Sequence, residues 1–200
     1  MSYSTETART RKIVARAVFS IVAASFALSV ATAADQPLDY RLLATSKTST
    51  MEKELNEAGS AGYHFSKAMG GVTANAGPEV VLVMVKDTVD QRVWKYRLLA
   101  TSRTSTMQKE LQQAADDGYE YKEQTVFETA FGGKEVVVIM EQLQTKQERP
   151  SSYRLLATTK TSTMQKELQA AAAQGYLLVG LSVGKTAFGG DEVVAILRKH

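Results

Sequence analysis

Twelve residues occur three times in this chain with almost no change: Tyr40–Met51 (YRLLATSKTSTM), Tyr96–Met107 (YRLLATSRTSTM) and Tyr153–Met164 (YRLLATTKTSTM). The copies begin 56 and then 57 residues apart, too close for full-sized domains, so the 200-residue chain divides into three small repeats of one fold. Landmarks inside the copies keep step without a gap. Gly62, Gly118 and Gly175 each follow the opening tyrosine by 22 residues, and Glu79, Glu135 and Glu192 follow it by 39. The repeats are placed at residues 40–87, 96–142 and 153–200, joined by polar linkers of which the second carries Pro150.

Each repeat reads as strand, helix, strand, strand. The opening YRLLAT alternates its side chains as a strand does. Ser49, Ser105 and Ser162 are followed three residues later by Glu52, Gln108 and Gln165, the spacing of a capping box, which predicts a helix start there. Met107, Leu111, Ala114 and Ala115 then form one apolar stripe, and the glycine at Gly62, Gly118 or Gly175 ends the helix. A second strand opens at the tyrosine after that glycine. A turn, Ala130–Gly133 or Ala187–Gly190 with Phe131 or Phe188 in it, leads into the third strand (Val80–Val85, Val136–Met140, Val193–Leu197). The third strand is apolar on both faces and suits the centre of a sheet. The predicted fold class is α+β: three tandem β-α-β-β units, each a three-stranded sheet of order 1-3-2 with one helix on one face.

A repeat of about 47 residues lies near the size below which a chain buries too little surface to stand alone, so neighbouring repeats are expected to pack on each other. The second strands suggest where. Glu120, Lys122 and Gln124 predict a water-facing side in the second repeat, whereas Leu177, Val179 and Leu181 occupy the same register in the third. Burying three such side chains is worth about 5 kcal/mol. That strip is a candidate interface, covered either by another repeat or by a partner.

Residues 1–33 read as a signal peptide. Arg9, Arg11, Lys12 and Arg16 precede an apolar run, Ala17–Val30, and Ala31-Thr32-Ala33 supplies the small residues of a cleavage site. An uncleaved anchor is the alternative, although the run is short for a spanning helix of about 20 residues. The expected location is periplasmic or secreted, with no transmembrane segment once the signal is removed. The chain has no cysteine, so packing alone must hold the repeats together. Of its 24 basic and 21 acidic residues, four and one lie in this segment, leaving twenty of each. A neutral exported chain gives no basis for nucleic-acid binding.

His64 and His200 do not recur between repeats, so no metal site is expected, nor a cofactor. No recurring hydroxyl has a histidine near it in sequence, and an enzyme is not expected. The recurring polar set is Arg41, Lys47 and Ser49, with Arg97, Arg103 and Ser105, then Arg154, Lys160 and Ser162. A cation just ahead of a helix N-terminus with free amides is a candidate anion site; a capped helix with a solvated neighbour explains the same residues.

The helix motif Lys-Glu-Leu (Lys53–Leu55, Lys109–Leu111, Lys166–Leu168), the following Gly-Tyr and the closing Leu197-Arg198-Lys199 resemble a family of small bacterial domains of unknown function, in which Gly-Trp usually stands where this chain has Gly62-Tyr63, Gly118-Tyr119 and Gly175-Tyr176. The resemblance implies the strand-helix-strand-strand fold and no activity. The sequence thus leads to an exported, non-enzymatic repeat protein that binds an envelope protein or glycan or serves as a structural module there. A small-molecule anion binder using the helix N-termini is the alternative, and the oligomeric state is left open.

Overall fold

The computed structural model describes residues 38–74, 77–87, 92–101, 103–128, 134–144, 150–185 and 191–200. The expected signal peptide, residues 1–33, and the turns holding Phe131 and Phe188 lie outside the described residues. The first repeat is β1 (Leu38–Thr45), α1 (Thr48–Ser60), β2 (His64–Thr73) and β3 (Gly77–Asp87). The second is β4 (Trp94–Thr101), α2 (Thr104–Asp116), β5 (Glu120–Glu128) and β6 (Lys134–Leu143). The third is β7 (Ser152–Thr158), α3 (Thr161–Ala172), β8 (Leu177–Lys185) and β9 (Asp191–Lys199). Every sheet has the expected order, β1-β3-β2, β4-β6-β5 and β7-β9-β8, with the central strand antiparallel to both neighbours. Among the described residues no helix is long and apolar enough to cross a membrane.

The helix starts differ from the capping-box reading. Each helix begins one residue before the serine, and its N-cap position is the basic residue Lys47, Arg103 or Lys160, with no side-chain cap hydrogen bond. The sharp turn into the helix is made instead by the threonine ending the first strand. The hydroxyls of Thr45, Thr101 and Thr158 accept from the amides of Lys47, Arg103 and Lys160 at 3.1–3.2 Å. This is the local side-chain turn that threonine offers a backbone leaving a strand.

The helix ends follow the glycine rule. Gly62, Gly118 and Gly175 have φ of 88°, 87° and 85°. In all three repeats the amides of Tyr63, Tyr119 and Tyr176 bond the carbonyls of Ala58, Ala114 and Ala171, and those of Gly62, Gly118 and Gly175 bond Gly59, Ala115 and Ala172, the paired bonds of a Schellman motif. A residue from the third strand completes each terminus: Lys86 Nζ, Gln142 Nε2 and Lys199 Nζ donate to the carbonyls of Ala61, Asp117 and Gln174 at 2.7–2.9 Å.

The repeats stack so that α1 and α2 each lie between two sheets. Met51 and Leu55 of α1 meet Leu82 and Met84 of their own sheet, and the same core takes in Tyr96, Val137 and Ile139 of the second. Met107 and Leu111 of α2 likewise share a core with Met140 of their own sheet and with Tyr153, Val194 and Ile196 of the third. Burial along the central strands records this order. Val136–Met140 of β6 and Val194–Leu197 of β9 are continuously buried, covered on both faces, whereas Val80–Met84 of β3 alternates buried and half-buried because its sheet has a helix on one face only.

Each second strand carries a β-bulge, between Phe65 and Lys67, Tyr121 and Glu123, and Leu178 and Gly180. The extra residue reverses the faces beyond it. Simple alternation therefore fails in two places. Gln124 does not meet water: it is buried, its Nε2 donating to Ser182 Oγ at 2.6 Å. Leu177 and Leu181 do not share a face, since they pair with Arg198 and Ala195, three residues apart on β9.

The αL glycine can be tested where space is not an issue. A Cβ on Gly175 would have its nearest neighbour at 3.6 Å, so Gly175→Ala isolates the backbone cost. We expect a loss of about 1 kcal/mol, and a fall in Tm of about 2–4 °C, by thermal unfolding followed by circular dichroism.

Candidate functional site

The recurring side chains converge at the joints between repeats. An edge strand leaves a row of backbone donors and acceptors unpaired, and α1 and α2 each seal the edge of the next repeat's first strand. Asn56 of α1 bonds Tyr96 twice: Nδ2 donates to the carbonyl at 2.9 Å and Oδ1 accepts from the amide at 3.0 Å. Glu52 accepts from the amide of Leu98 at 2.9 Å. One repeat later, Gln112 Oε1 accepts from the amide of Tyr153 at 3.1 Å. Gln108 bonds the Tyr153 carbonyl at 2.9 Å and the Leu155 amide at 2.6 Å. Glu52 and Gln108, read from spacing as capping residues, are therefore joint residues.

The opening tyrosine returns the contact. Tyr96 Oη accepts from the amide of Phe65 at 2.8 Å and donates to the buried carboxylate of Glu141 at 2.6 Å. Glu141 is neutralised by Lys122 Nζ at 2.5 Å. Tyr153 Oη accepts from the amide of Tyr121 at 2.8 Å. Backbones come close here as well: a Cβ on Gly59 would sit 2.5 Å from the Trp94 carbonyl oxygen, and one on Gly70 2.1 Å from that of Val126.

The proposed anion set does not gather at one place. Arg41, Arg97 and Arg154 lie beside the helix C-termini, stacked on Tyr63, Tyr119 and Tyr176 with the guanidinium carbon 5.4, 4.5 and 4.4 Å from the ring centroid. Arg97 also pairs with Asp117 at 2.7 Å, which holds that carboxyl below its usual pKa, and Arg154 donates to Gln174 at 2.9 Å. A cation at that end complements the helix dipole. Lys47, Arg103 and Lys160 lie exposed at the opposite end of the helix, with Ser49, Ser105 and Ser162 exposed in its first turn. Ser49 and Arg97, from different repeats, do line one open groove of about 670 Å³ along β4, together with Glu52 and Glu110.

The candidate interface divides in the same way. Val179, at the bulge, packs against the core shared by the second and third repeats. Leu177 and Leu181 are exposed at 68% and 57%. They belong to a wider pattern. Among the described residues the large apolar side chains left exposed are Leu38, Tyr40, Leu42, Met69 and Val72 in the first sheet, and Leu177, Leu178, Leu181 and Val183 in β8 of the third. All lie in the two terminal repeats. Tyr40 is 63% exposed where its counterparts Tyr96 and Tyr153 are 2% and 3%.

Two measurements test the joints. Gln112→Ala leaves the Tyr153 amide and the Ser151 carbonyl short of their partner, and we expect a loss of about 1–3 kcal/mol in urea unfolding; the neighbouring Gln113→Ala, which gives up only an exposed bond to Asp117, should change stability by less than about 0.5 kcal/mol. Burial raises the pKa of Tyr96, Tyr121 and Tyr153, with the Glu141 carboxylate adding to the shift of Tyr96. A tyrosine whose folded pKa exceeds its unfolded value of about 10 contributes fully below that pH and loses its contribution as pH rises through the folded value. The tyrosine contribution should therefore be constant up to about pH 10 and fall above it, and Tyr96→Phe should make the alkaline fall in stability shallower in denaturant titrations.

Compared with known proteins, the chain matches no family model, no curated protein and no solved structure, so the geometry of the joints and of the two exposed faces is what bears on its function.

Proposed function

We propose that this chain is an exported, non-enzymatic repeat protein that acts as a binding or structural module of the cell envelope, making its contacts through the two end faces of the stack. The observation that carries the reading is the division of labour among its side chains. The recurring tyrosines, amides and carboxylates hold one repeat to the next, while the large exposed apolar side chains collect on the first sheet and on β8. Large apolar side chains left exposed on these strands, Tyr40, Leu42 and Met69 on one face of the first sheet and Leu178, Leu181 and Val183 on one face of β8, support a contact with another molecule. Export is supported by the basic, apolar and small-residue segments of residues 1–33. The partner class that fits is a protein or glycan surface with an apolar component.

Photo-crosslinking in the producing cell tests the reading. A photoreactive side chain placed at Leu42 or Leu181 should give adducts in the envelope fraction, whereas one at the exposed Lys53 on α1 should give few. The chain isolated from that fraction should begin at Ala34. No adducts at either face, or retention of the uncleaved chain in the cytoplasm, would reject the module or its location respectively.

A further inference from the structure

The joint between the first and second repeats and the joint between the second and third are one contact made twice, and the ends of the stack carry its two halves unmated. We propose that copies of this chain join head to tail, the outer side of α3 and β8 of one copy seating on the outer face of the first sheet of the next, through a third instance of that joint. The proposal rests on the reading of the chain as a binding module and names its partner as a second copy.

Residue correspondence carries the argument. On the helix side, Glu52 and Asn56 in α1 and Gln108 and Gln112 in α2 seal the edge of the following strand. Their counterparts in α3 are Gln165 and Gln169, both exposed, with the same amide chemistry as the α2 pair. One helical turn further, the joints need a small residue. Gly59 and Ala115 are buried there, and α3 has Ala172, which is exposed.

On the sheet side, the residues buried against the preceding repeat include Tyr96 with Val137 and Ile139, and Tyr153 with Val194 and Ile196. The first sheet has Tyr40 with Val81 and Val83 at these positions, the tyrosine exposed and the valines only partly covered. In both joints the tyrosine hydroxyl accepts from the amide just before the bulge of the preceding repeat, that of Phe65 or Tyr121. In the third repeat that position is Leu178, so Leu178 N–H is the counterpart that would meet the Tyr40 hydroxyl of another copy.

Where the repeats differ, the two ends differ together. Glu120 reaches Arg198 across the second joint at 3.9 Å; the corresponding pair between the two ends is apolar on both sides, Leu177 and the already buried Val85. Gln124 bonds Ser182 across the second joint, and the corresponding pair is Leu181 and Met69, again apolar on both sides. A surface meant for a glycan or an unrelated protein has no reason to keep this pairing. The two faces are not alike, so the contact is heterologous and closes into a ring or extends as a filament according to the rotation per copy.

The test uses the protein purified as the cell produces it. In sedimentation equilibrium its average mass should rise with concentration toward multiples of the monomer. Leu42→Glu blocks one face and Leu181→Glu the other, and each should weaken self-association about 100-fold by placing an unpaired charge in the contact. An equimolar mixture of the two variants should recover association and stop at the dimer, because each still offers the face that the other lacks. Tyr40→Ala with Gln169→Ala is a milder pair for the same experiment should either charge unfold its sheet. A wild-type chain that is monomeric at every concentration, a single variant that dimerises as well as wild type, or a mixture that stays monomeric would each overturn head-to-tail pairing. Crosslinks from Leu42 and Leu181 to another envelope molecule, with a monomeric purified chain, would overturn self-pairing and leave the module reading intact; no crosslinks at all would reject both.

Discussion

A helix held between two sheets must be apolar toward one and must supply hydrogen-bonding groups to the edge of the other, and this double obligation shapes α1 and α2 and the strands they meet. Met51, Leu55 and Ala58 of α1 turn toward the first sheet, while Glu52 and Asn56 reach the backbone of β4. Gly59 lets the Trp94 carbonyl approach closely enough that a side chain there would clash. A repeat of this length gains from sharing a helix because each shared face removes apolar area from water twice over. The opening tyrosine exists for the same reason. Its ring fills the joint and its hydroxyl reaches an amide of the previous sheet, satisfying a polar tip inside an apolar contact.

The two joints solve one geometric problem with different chemistry. The first places a carboxylate, Glu141, inside the contact and compensates it with Lys122 and the hydroxyl of Tyr96, so removal of either partner leaves a buried charge under-satisfied. The second has Arg198 at the corresponding position, reaching Glu120 near the surface, and relies on neutral glutamine bonds along β7. Near-identity of the repeated segments therefore coexists with joints that are individually matched. Exchanging single joint residues between repeats is a larger change than the similarity of the copies suggests.

The sheet order and the glycine that ends each helix were legible from sequence because both are local: a fixed offset from tyrosine to glycine, and an apolar third strand that only a central position satisfies. The role of Ser49, Ser105 and Ser162 was not, because the same spacing that makes a capping box also sets a residue facing the neighbouring repeat, and sequence alone does not say which obligation Glu52 or Gln108 meets. A bulge leaves no mark in alternation counted from one end. Hence simple alternation sends Gln124 to water and Leu177, Val179 and Leu181 to one strip, whereas one extra residue gives them different surroundings. Closeness in sequence groups Arg41, Arg97 and Arg154 with the helix start, but a strand advances about 3.3 Å per residue, enough over six residues to carry them to the other end of the helix.

The continuous burial of β6, set against the alternating burial of β3, has a consequence for how the molecule opens. In a stack where each layer touches only its neighbours, the stability of a layer is the sum of its own packing and its adjoining contacts. The second sheet is bounded on both sides within the chain, so its amides should exchange with solvent only through the rarest openings. The first sheet, with one side covered, has fewer contacts to lose and should open at lower free energy. Unfolding would then begin at the outer layers and converge on Val136–Met140, leaving the middle of the sequence as the last ordered part of the fold.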